Sequence, residues 1–472
     1  MKTIPDPIAS FYGLEENDEK GRPCRGAACF VARHVNPERW REACLGRALY
    51  CLGQCFAAPA APEPGLRPLI RSDARTTVVL EGLLQGPCRT VRDYKRRGGF
   101  RALERALGLG PEAILAEVEA SGLRGRGGAG FSTGRKWRMV AQAASADGDK
   151  FVVANADEGD PGAYIDRFLM EDDPFRLIEA MAIAACAVGA TKGLIYLRQE
   201  YPAARSILEG ALEEARRETG HPIDLELVVG RGSYVCGEET ALIRSIEDER
   251  PEVLARPPYP TERGLLDRPT LVNNVETLAS IPWIVQNGGA AYHAMGIGKS
   301  RGTKAVSLNS LFRRPGLYEV EFGLPVRRIV EDLGGGLAEG AIQGLLIGGP
   351  LAGVLPPSLF ETPFAFEELA AAGAAVGHGG VVAFDERTSL KDLILHVFAF
   401  AADESCGKCT PCRLGSRRIE RALERGELTR ADWEDIVSAL GRTSLCGLGG
   451  GLAEFAKSLS RHYPKELARC LA

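Results

Sequence analysis

The 472-residue sequence lacks a long uninterrupted apolar run and an apolar stretch near its start. Residues 1–20 contain no hydrophobic core of a secretory signal. The most apolar stretch, 177–197, is interrupted by Glu179, Gly189 and Lys192, which favours a buried helix followed by a strand over a membrane span. We therefore expect a cytoplasmic protein without direct membrane insertion, whose cysteines are reduced.

The sequence also has no excess of basic residues and few histidines. The 58 Lys and Arg residues against 62 Asp and Glu residues give a net charge of -4, which argues against nucleic acid as the main partner. The chain has only six histidines and no Ser/His/Asp or Cys/His arrangement, so a nucleophilic or histidine-based catalytic site is not expected. Glycine is instead abundant, with 56 residues, which indicates several close approaches of the backbone to other groups.

The thirteen cysteines concentrate at the two ends of the chain. Near the C-terminus, the stretch ESCGKCTPC has the pattern C-x2-C-x2-C at Cys406, Cys409 and Cys412, and Cys446 follows in SLCGLGG. Three thiolates at this spacing and a distant fourth are the ligand count of a [4Fe-4S] cluster. Zinc is the alternative, although zinc sites usually pair two two-cysteine knuckles.

A second group of cysteines lies in the first 55 residues. Cys24 and Cys29 form C-x4-C, Cys51 and Cys55 form C-x3-C, and Cys44 lies outside these pairs. Clusters at both ends predict two separate metal centres. The Pro- and Ala-rich residues that follow, 56–68, are typical of a linker.

The glycine-rich stretch GLRGRGGAGFSTGRKW, residues 122–137, contains G-x-G-x-x-G. A Rossmann fingerprint follows a strand, whereas the preceding residues 111–121 have a helical pattern, so this context excludes the Rossmann interpretation. Exposed backbone N–H groups and basic side chains still predict a phosphate cradle, with a mobile basic loop as the alternative. The basic residues are Arg124, Arg126, Arg135, Lys136 and Arg138.

Helical and strand patterns alternate up to about residue 300, which indicates an α/β layer architecture. The stretch NADEGDPGAY at 155–164 follows a predicted strand, so its polar groups stand where α/β proteins commonly bind ligands. Two further polar stretches are GEE at 237–239 and VNN at 272–274. Each stretch by itself is better explained as structural. The strands are predicted at 150–156, 191–198 and 223–229, and the helices at 94–109, 111–121 and 201–218.

The last third of the chain has a different pattern. Short strands at 303–311, 316–325 and 343–350 surround a single predicted helix at 325–335, which indicates a small α+β domain. From about residue 388 the pattern is helical.

Six stretches taken together resemble a known family. In order they are SGLRGRGGAGFSTGRKW, NADEGDPGAYIDR, YVCGEETALI, RPPYPTERGL, PTLVNNVETL and ESCGKCTPCR. They are similar to the NADH-binding flavoprotein subunit of respiratory complex I and to the diaphorase subunits of NAD-linked hydrogenases and formate dehydrogenases. The resemblance implies an α/β multidomain protein with four parts. These are a cysteine-rich segment at 1–75, a non-standard Rossmann-like FMN/NADH domain at 90–300, a ubiquitin-like α+β domain at 301–387, and a helical bundle that binds [4Fe-4S] at 388–472.

The resemblance also implies the cofactor-binding residues. The FMN phosphate is assigned to Gly125, Arg126, Gly127, Gly128 and Lys136. The flavin ring and ribityl chain are assigned to Asn155, Asp157, Gly237, Glu238, Asn273 and Asn274. Phe131 is expected to stack on the nucleotide, and the other NADH residues are Glu158, Asp160, Tyr234, Glu239, Arg256 and Tyr259. The family commonly has Lys and Phe where this chain has Arg256 and Tyr259, which leaves selectivity on the adenosine side open. Because the flavin carries the hydride, no side chain is expected to be catalytic, although Glu158 and Glu239 lie nearby.

The implied activity is that of an NADH:acceptor oxidoreductase, or diaphorase, that passes single electrons to iron–sulfur clusters of a larger complex. The extra N-terminal segment favours an NAD-dependent formate dehydrogenase or hydrogenase. The alternatives are a complex I-type NADH:quinone oxidoreductase and a non-catalytic paralogue that serves electron transfer or assembly. The spacing of Cys24, Cys29, Cys51 and Cys55 resembles the [2Fe-2S] site of the thioredoxin-like partner subunit, with a shorter interval between the pairs. Another metal, or redox-active or incidental cysteines, are the alternatives for these four residues.

Overall fold

The computed structural model describes residues 23–45, 49–145, 148–218, 220 and 223–472. Within these residues, the strands form a four-stranded sheet, a six-stranded sheet and a two-stranded pair. The strands are β1 Leu69–Ser72, β2 Phe151–Ala156, β3 Lys192–Leu197, β4 Asp224–Val229, β5 Thr270–Asn274, β6 Gly296–Ile297, β7 Ser300–Arg301, β8 Thr303–Leu308, β9 Gly316–Glu321, β10 Ile342–Ile347, β11 Val354–Leu355 and β12 Gly380–Asp385.

Helices cover the sheets and form the C-terminal part. The α-helices are Ala27–Val31, Pro37–Ala43, Glu81–Leu84, Val91–Arg96, Arg101–Leu109, Pro111–Ser121, Thr133–Gln142, Ile165–Asp172, Pro174–Val188, Pro202–Glu218, Glu239–Ile246, Val275–Ala279, Ile281–Asn287, Gly289–His293, Phe366–Ala371, Leu390–Asp403, Ser416–Arg425, Arg430–Thr443, Gly447–His462 and Pro464–Cys470. Short 3-10 turns span Cys55–Ala57, Tyr234–Gly237, Leu265–Asp267 and Pro357–Leu359, and π-helical turns span Arg328–Leu333 and Pro411–Gly415.

The four-stranded sheet is parallel, with the order β4-β3-β2-β5. Strand β2 is apolar and buried along almost its whole length, as expected for a parallel strand covered on both faces by helices. The predicted strands at 150–156, 191–198 and 223–229 are confirmed by β2, β3 and β4. Asn155 lies opposite Asn274 in the register of β2 and β5, which brings two predicted site stretches to one edge of the sheet.

The six-stranded sheet has the order β1-β9-β8-β12-β10-β11 and mixes parallel and antiparallel pairs. The three short strands predicted after residue 303 are confirmed by β8, β9 and β10. Strand β1, from the N-terminal part of the chain, pairs in parallel with β9. The helix predicted at 325–335 is confirmed over residues 326–333, where it becomes π-helical at Arg328–Leu333. Gly335 and Gly336 adopt positive φ directly after it.

The C-terminal part is helical, as predicted. The helix Leu390–Asp403 packs beside Ser416–Arg425, and Arg430–Thr443 packs beside Gly447–His462. In its core, the ring of Phe398 contacts the rings of Trp433 and Phe455. No helix in the described parts of the chain is long and apolar enough to span a membrane.

Two local predictions are wrong. The pattern at 94–109 is two helices, Val91–Arg96 and Arg101–Leu109, because Gly98 and Phe100 have φ values of 91° and 65° and break the helix between them. The residues 56–68 are not a free linker. Ala58 and Ala60 in this stretch are buried, and Ala60 hydrogen-bonds to the segment that carries the first cysteine pair.

Candidate functional site

The glycine loop, residues 122–137, follows the helix Pro111–Ser121 and includes the start of the helix Thr133–Gln142. The Gly125 N–H donates to the Phe131 carbonyl oxygen at 2.8 Å, which closes the loop. Gly127 is exposed, and a Cβ added to it would lie 3.0 Å from the Cβ of Asn274. Gly128 has a φ of 127°, and a Cβ there would meet nothing within 4 Å. The loop therefore exposes its backbone over the end of β5, as a phosphate cradle requires.

The basic residues in and just after the loop have different surroundings. Arg126 is fully buried, and its guanidinium donates to the Tyr292 hydroxyl at 2.8 Å and to the Arg301 carbonyl at 2.8 Å. Its positive charge is therefore directed into the interior, and its backbone N–H also donates inside the protein, to the Thr277 hydroxyl at 2.8 Å. Arg124 pairs with Glu367. Arg138 pairs with Glu112 and Glu119.

Lys136 is the loop cation that reaches a predicted site residue. Its ammonium group pairs with Glu239 and donates to the Val272 carbonyl at 3.1 Å. Both side chains of the ion pair are only partly buried. The pair therefore joins the glycine loop, β5 and the turn at 234–239, three segments that are distant in sequence.

Amide side chains occupy the ends of β2 and β5. The Asn155 side-chain amide donates to the Gly237 carbonyl at 2.8 Å. The Asn273 side-chain oxygen accepts from the Trp137 indole N–H at 2.8 Å. Asn274 begins the helix Val275–Ala279 and accepts from the Thr277 N–H at 3.1 Å. We call the region between the glycine loop, these strand ends and the turn at 234–239 the loop–strand site.

Asp157 supplies an unsatisfied carboxyl oxygen at this site. Its Oδ2 is buried, and it has no hydrogen-bond partner among the described residues. Burial raises the pKa of Asp157 to about 8. Buried polar atoms are normally paired, so this atom fits a ligand that brings its own hydrogen-bonding group. A flavin cofactor, with a hydroxylated chain and a polar ring edge, meets that requirement.

Glu158 has a structural role. Its carboxylate accepts hydrogen bonds from the backbone N–H groups of Ile165, Asp166 and Arg167 at 2.6, 3.0 and 3.0 Å. These bonds cap the helix Ile165–Asp172, and the side chain is buried. Both oxygens are therefore engaged inside the protein, which differs from the contact with NADH implied by the family resemblance.

Glu238 also caps a helix. Its side chain accepts from the N–H groups of Thr240 and Ala241 at 3.0 and 3.1 Å, and it pairs with Arg256. The Tyr234 hydroxyl donates to Asp160 at 2.5 Å. These contacts fix the side chains of Asp160, Tyr234 and Arg256, three of the residues that the resemblance assigns to NADH.

Two aromatic rings at the predicted nucleotide positions are exposed. Phe131 is 42% exposed and Tyr259 is 46% exposed. The guanidinium of Arg135 lies 5.8 Å from the centre of the Phe131 ring. An exposed aromatic ring offers a flat apolar face, which suits stacking on a planar ligand.

The C-terminal cysteines converge as predicted. Cys406, Cys409 and Cys412 lie on one loop and π-helical turn, and Cys446 precedes the helix Gly447–His462. Burial and the neighbouring thiols raise the pKa of Cys412 to about 12 and that of Cys446 to about 11. Thiolates at this site therefore need a strongly bound cation or cluster.

The four N-terminal cysteines Cys24, Cys29, Cys51 and Cys55 form a buried group, while Cys44 is exposed. The Cys51 and Cys55 sulfurs are 4.0 Å apart, and a contact between the thiols of Cys24 and Cys29 raises the pKa of Cys29. Backbone N–H groups point at three of the sulfurs. They are Gly26 to Cys24 at 3.2 Å, Gly53 to Cys51 at 3.3 Å and Ala60 to Cys29 at 3.3 Å.

The N-terminal group lies against the polar stretch at 155–164. A Cβ on Gly26 would be 3.0 Å from Pro161. Arg198 connects the two regions, because its guanidinium donates to the Cys51 carbonyl at 2.9 Å and also to the Glu158 carbonyl. The chain therefore places its first cysteine group directly beside the loop–strand site.

Sequence reasoning missed His378 and Asp166. His378 lies 3.0 Å from Asp166, and both are buried beside Asn274. One signal was available in the sequence, since His378 is one of only six histidines and stands between glycines in GHGG. Nothing in the pattern, however, connects that histidine to residues more than 200 positions earlier.

Comparison with known proteins places these features in a family. Residues 118–283 match the model described as the Nuo51 FMN-binding domain, and residues 392–470 match the NADH-ubiquinone oxidoreductase-F iron-sulfur binding region. The chain is 42% identical over 376 residues to the NADP-reducing hydrogenase subunit HndC of Solidesulfovibrio fructosivorans, which covers 76% of each protein. It is 39% identical over 390 residues to the F 2 subunit of the NADH-quinone oxidoreductase of Rhizobium meliloti (strain 1021), covering 79% of this chain and 92% of that protein.

A solved structure is also similar. A chain in the structure of an NAD+-reducing [NiFe]-hydrogenase in the air-oxidized state superposes with a TM-score of 0.82 at 30% identity. The superposition covers 99% of this chain and 88% of that one. The protein is therefore a mixed α/β oxidoreductase subunit with an FMN-binding domain and a C-terminal iron–sulfur region. It belongs to the family of FMN- and [4Fe-4S]-binding NADH oxidoreductase subunits that includes members of complex I and of NAD-reducing hydrogenases.

Proposed function

We propose that the loop–strand site binds FMN and that NADH docks on its open side. The observation that carries this proposal is the convergence of four sequence-distant stretches on one site, connected by the contacts of Lys136 with Glu239, Asn155 with Gly237, and Gly127 with Asn274. Bound FMN would accept a hydride from the nicotinamide and release the electrons singly to iron–sulfur clusters. The activity itself, that of an NADH-oxidising subunit, is a property of the family.

Each element of the site has a separate role in the proposal. The backbone N–H groups of Gly127 and Gly128 and the ammonium group of Lys136 hold the FMN phosphate. Gly125 and Arg126, whose N–H groups donate to Phe131 and Thr277, shape the loop around it. Asn155, Asp157 and Asn274 stand at the strand ends, where they orient the ring and ribityl chain. Gly237 and Asn273 are also assigned to the flavin ring and ribityl chain. Since Glu238 and Arg256 pair with each other, they shape the rim of the site.

NADH is proposed to stack on Phe131, with Tyr234, Glu239 and Tyr259 around it and Asp160 fixed by the Tyr234 hydroxyl. Glu158 supports this region indirectly through the helix that it caps. With flavin and nicotinamide both bound, exclusion of water from this region would favour direct hydride transfer over loss of the hydride to solvent.

Phe131→Ala is expected to raise the KM for NADH about tenfold with a much smaller change in kcat. Stacking of an aromatic side chain on a planar base contributes about 1–3 kcal/mol, and the loss affects ground state and transition state alike. Steady-state kinetics with an artificial acceptor measure it, with Phe131→Tyr as the matched control that keeps the ring. An unchanged KM in Phe131→Ala would remove Phe131 from the nucleotide site.

We infer that the N-terminal cysteines hold a [2Fe-2S] cluster, with Cys24 and Cys29 on one iron and Cys51 and Cys55 on the other. The arrangement in two close pairs supports this assignment. Backbone N–H groups directed at the sulfurs stabilise the negative charge of such a cluster.

Cys51→Ala is expected to lower the iron content from about six to about four atoms per chain, since only the two-iron cluster is lost. Iron analysis and low-temperature electron paramagnetic resonance of the reduced protein measure the change. Cys44→Ala is the matched control, because this thiol is exposed and lies outside both pairs. Equal iron contents in wild type and Cys51→Ala would refute the N-terminal cluster.

For the parent assembly, we propose an NAD-dependent formate dehydrogenase or hydrogenase. The superposition on the hydrogenase chain extends over 99% of this chain, so it includes the N-terminal cysteine segment. The expected partners are a subunit with a thioredoxin-like [2Fe-2S] domain and a catalytic dehydrogenase or hydrogenase subunit. A complex I-type assembly is the second candidate, because the quinone oxidoreductase protein of Rhizobium meliloti matches 79% of the chain.

The same proposal divides the chain into four parts. They are the cysteine segment at 1–75, the FMN/NADH domain at 90–300, a ubiquitin-like domain at 301–387, and a [4Fe-4S] helical bundle at 388–472. Strand β1 joins the sheet of the third part, which ties the N-terminal segment to the rest of the chain.

One experiment tests the central proposal. Purified protein should show a flavin absorption band that NADH bleaches under anaerobic conditions, and an artificial acceptor should restore it. Flavin that does not respond to NADH would favour the non-catalytic paralogue, and protein that binds no flavin would refute the FMN assignment. Copurification with a formate dehydrogenase or hydrogenase subunit, rather than a quinone-reducing assembly, decides the parent complex.

A further inference from the structure

A group of three buried ionisable side chains lies behind the loop–strand site. It consists of His378, Asp166 and Glu158, which are 5%, 1% and 2% exposed, and we call it the His378 cluster. The His378 Nε2 is 3.0 Å from Asp166 Oδ2, and its Nδ1 is 3.5 Å from Glu158 Oε1. Each ring nitrogen therefore faces a carboxylate oxygen.

The cluster contacts the proposed flavin site through Asn274. The Asn274 side-chain amide donates to Asp166 Oδ2 at 2.5 Å and lies 3.4 Å from His378 Nε2. On its other side, Asn274 lies directly against Gly127 of the glycine loop. A single side chain thus separates the imidazole from the cradle.

His378 reaches this position from a different part of the fold. It stands just before β12 in the six-stranded sheet, whereas Asp166 and Glu158 follow β2 of the parallel sheet. The cluster therefore requires the two sheets to be correctly packed. A buried, polar contact of this kind is costly unless its groups are mutually satisfied.

The charges around His378 favour its protonated form. Burial by itself lowers the pKa of the imidazole, but Asp166 and Glu158 outweigh burial and raise the pKa to about 9. The positive charge of Lys304 lowers the pKa of His378. The Lys304 ammonium group pairs with Glu276 and donates to the His378 carbonyl oxygen at 2.9 Å. Asp160 also faces the imidazole and interacts with it electrostatically.

A metal ion is a poorer occupant of this cluster than a proton. Glu158 already accepts three backbone N–H bonds and a bond from the Tyr201 hydroxyl at 3.1 Å. Asp166 accepts from Asn274, from the Glu276 N–H and from His378. The carboxylate oxygens are therefore oriented toward hydrogen-bond donors, and an imidazolium adds a hydrogen bond from its Nε2 to Asp166. Its Nδ1 has no hydrogen-bond partner among the described residues and lies 3.5 Å from Glu158 Oε1 as an ion-pair contact.

We propose that protonated His378 is a positioning residue for the flavin site, which fixes Asn274 through Asp166 and places a positive charge behind the bound flavin. This inference rests on the proposed binding of FMN at the loop–strand site. A positive charge in a region of low dielectric stabilises the negative charge that the flavin gains on reduction. His378 therefore raises the reduction potential of the bound flavin.

The test is the midpoint potential of bound FMN in wild type, His378→Gln and His378→Lys, measured by anaerobic redox titration. His378→Gln retains hydrogen bonding without the charge, so its potential should shift to a more negative value. His378→Lys retains the charge and should return the potential toward that of wild type. The difference between wild type and His378→Gln should shrink as the pH rises through about 9, where the imidazole loses its proton.

His396→Gln is the matched control, because this histidine is also buried but stacks on Phe30 with ring centres 4.3 Å apart. Burial lowers the pKa of His396 to about 3, so it carries no charge. Its replacement should leave the flavin potential unchanged. An equal shift in both variants, or no recovery in His378→Lys, would overturn the charge effect.

The two proposals fail in different ways. Wild-type protein without NADH-reducible flavin refutes the proposed function and the role of His378 together. NADH-reducible flavin whose potential is the same in wild type and His378→Gln refutes only the role of His378. If His378→Gln does not fold, His378→Asn takes its place under the same criterion.

Discussion

Gly127→Val is expected to release FMN while the C-terminal iron–sulfur cluster stays intact. The added Cβ would lie 3.0 Å from the Asn274 Cβ, closer than ordinary van der Waals contact, so the loop or Asn274 has to shift where the phosphate is proposed to bind. Forcing methyl groups into a packed contact costs about 1–3 kcal/mol, which corresponds to roughly 5- to 150-fold weaker binding. Titration of flavin-free protein with FMN, followed by fluorescence, measures the Kd.

The control for this variant is Gly108→Val. Gly108 is exposed at the end of a helix, and a Cβ there meets nothing within 4 Å. It should bind FMN as wild type does. Tight FMN binding by Gly127→Val, or an equal loss in Gly108→Val, would contradict the placement of the cradle at Gly127. Iron content and the iron–sulfur absorption should be unchanged in both variants.

Cys409→Ala is expected to remove the [4Fe-4S] cluster, because a cubane requires all four thiolates. Iron should fall by about four atoms per chain, and electron transfer to the physiological partner should be lost. Reduction of flavin by NADH should continue, since the loop–strand site is built from other segments. Iron analysis, electron paramagnetic resonance and NADH-dependent bleaching of the flavin measure these three effects separately.

Cys186→Ala is the matched control, since Cys186 and Cys409 are both half-buried free cysteines. Its iron content and partner reduction should equal those of wild type. Retention of all iron in Cys409→Ala would exclude this residue from the cluster ligands. Loss of two iron atoms rather than four in Cys409→Ala would instead assign Cys409 to the N-terminal cluster.

The structure separates the basic residues around the glycine loop by their surroundings. The sequence shows five basic residues in and after the glycine loop, and all five look equally suited to a phosphate. In the fold, Arg126 is buried against Tyr292, and Arg124 and Arg138 pair with acidic side chains elsewhere. Which cation faces the cradle depends on side-chain direction, and no local pattern encodes it.

Acidic residues illustrate the same point. NADE follows a strand, so a ligand role for each of its polar residues was reasonable. Glu158 instead caps the helix that begins seven residues later, and Asp157 retains the unpartnered oxygen. Two neighbouring carboxylates thus have different roles, because adjacent residues at a strand end point in different directions.

The sequence by itself determined the class of chemistry. Cysteine spacing indicated two metal centres, and the helix before the glycine loop excluded a Rossmann turn. The order of the six motifs identified the family. Each motif is a short stretch of consecutive residues, and the order of the motifs along the chain can be read from the sequence without knowing how they contact one another.

Only the tertiary structure decided how the motifs combine. It paired Lys136 with Glu239, placed the N-terminal cysteines against Pro161, and brought His378 from the second sheet to Asp166. Contacts between residues hundreds of positions apart form when apolar faces of sheets and helices are buried together. That burial sets the side-chain directions, and with them the residues that a cofactor can reach.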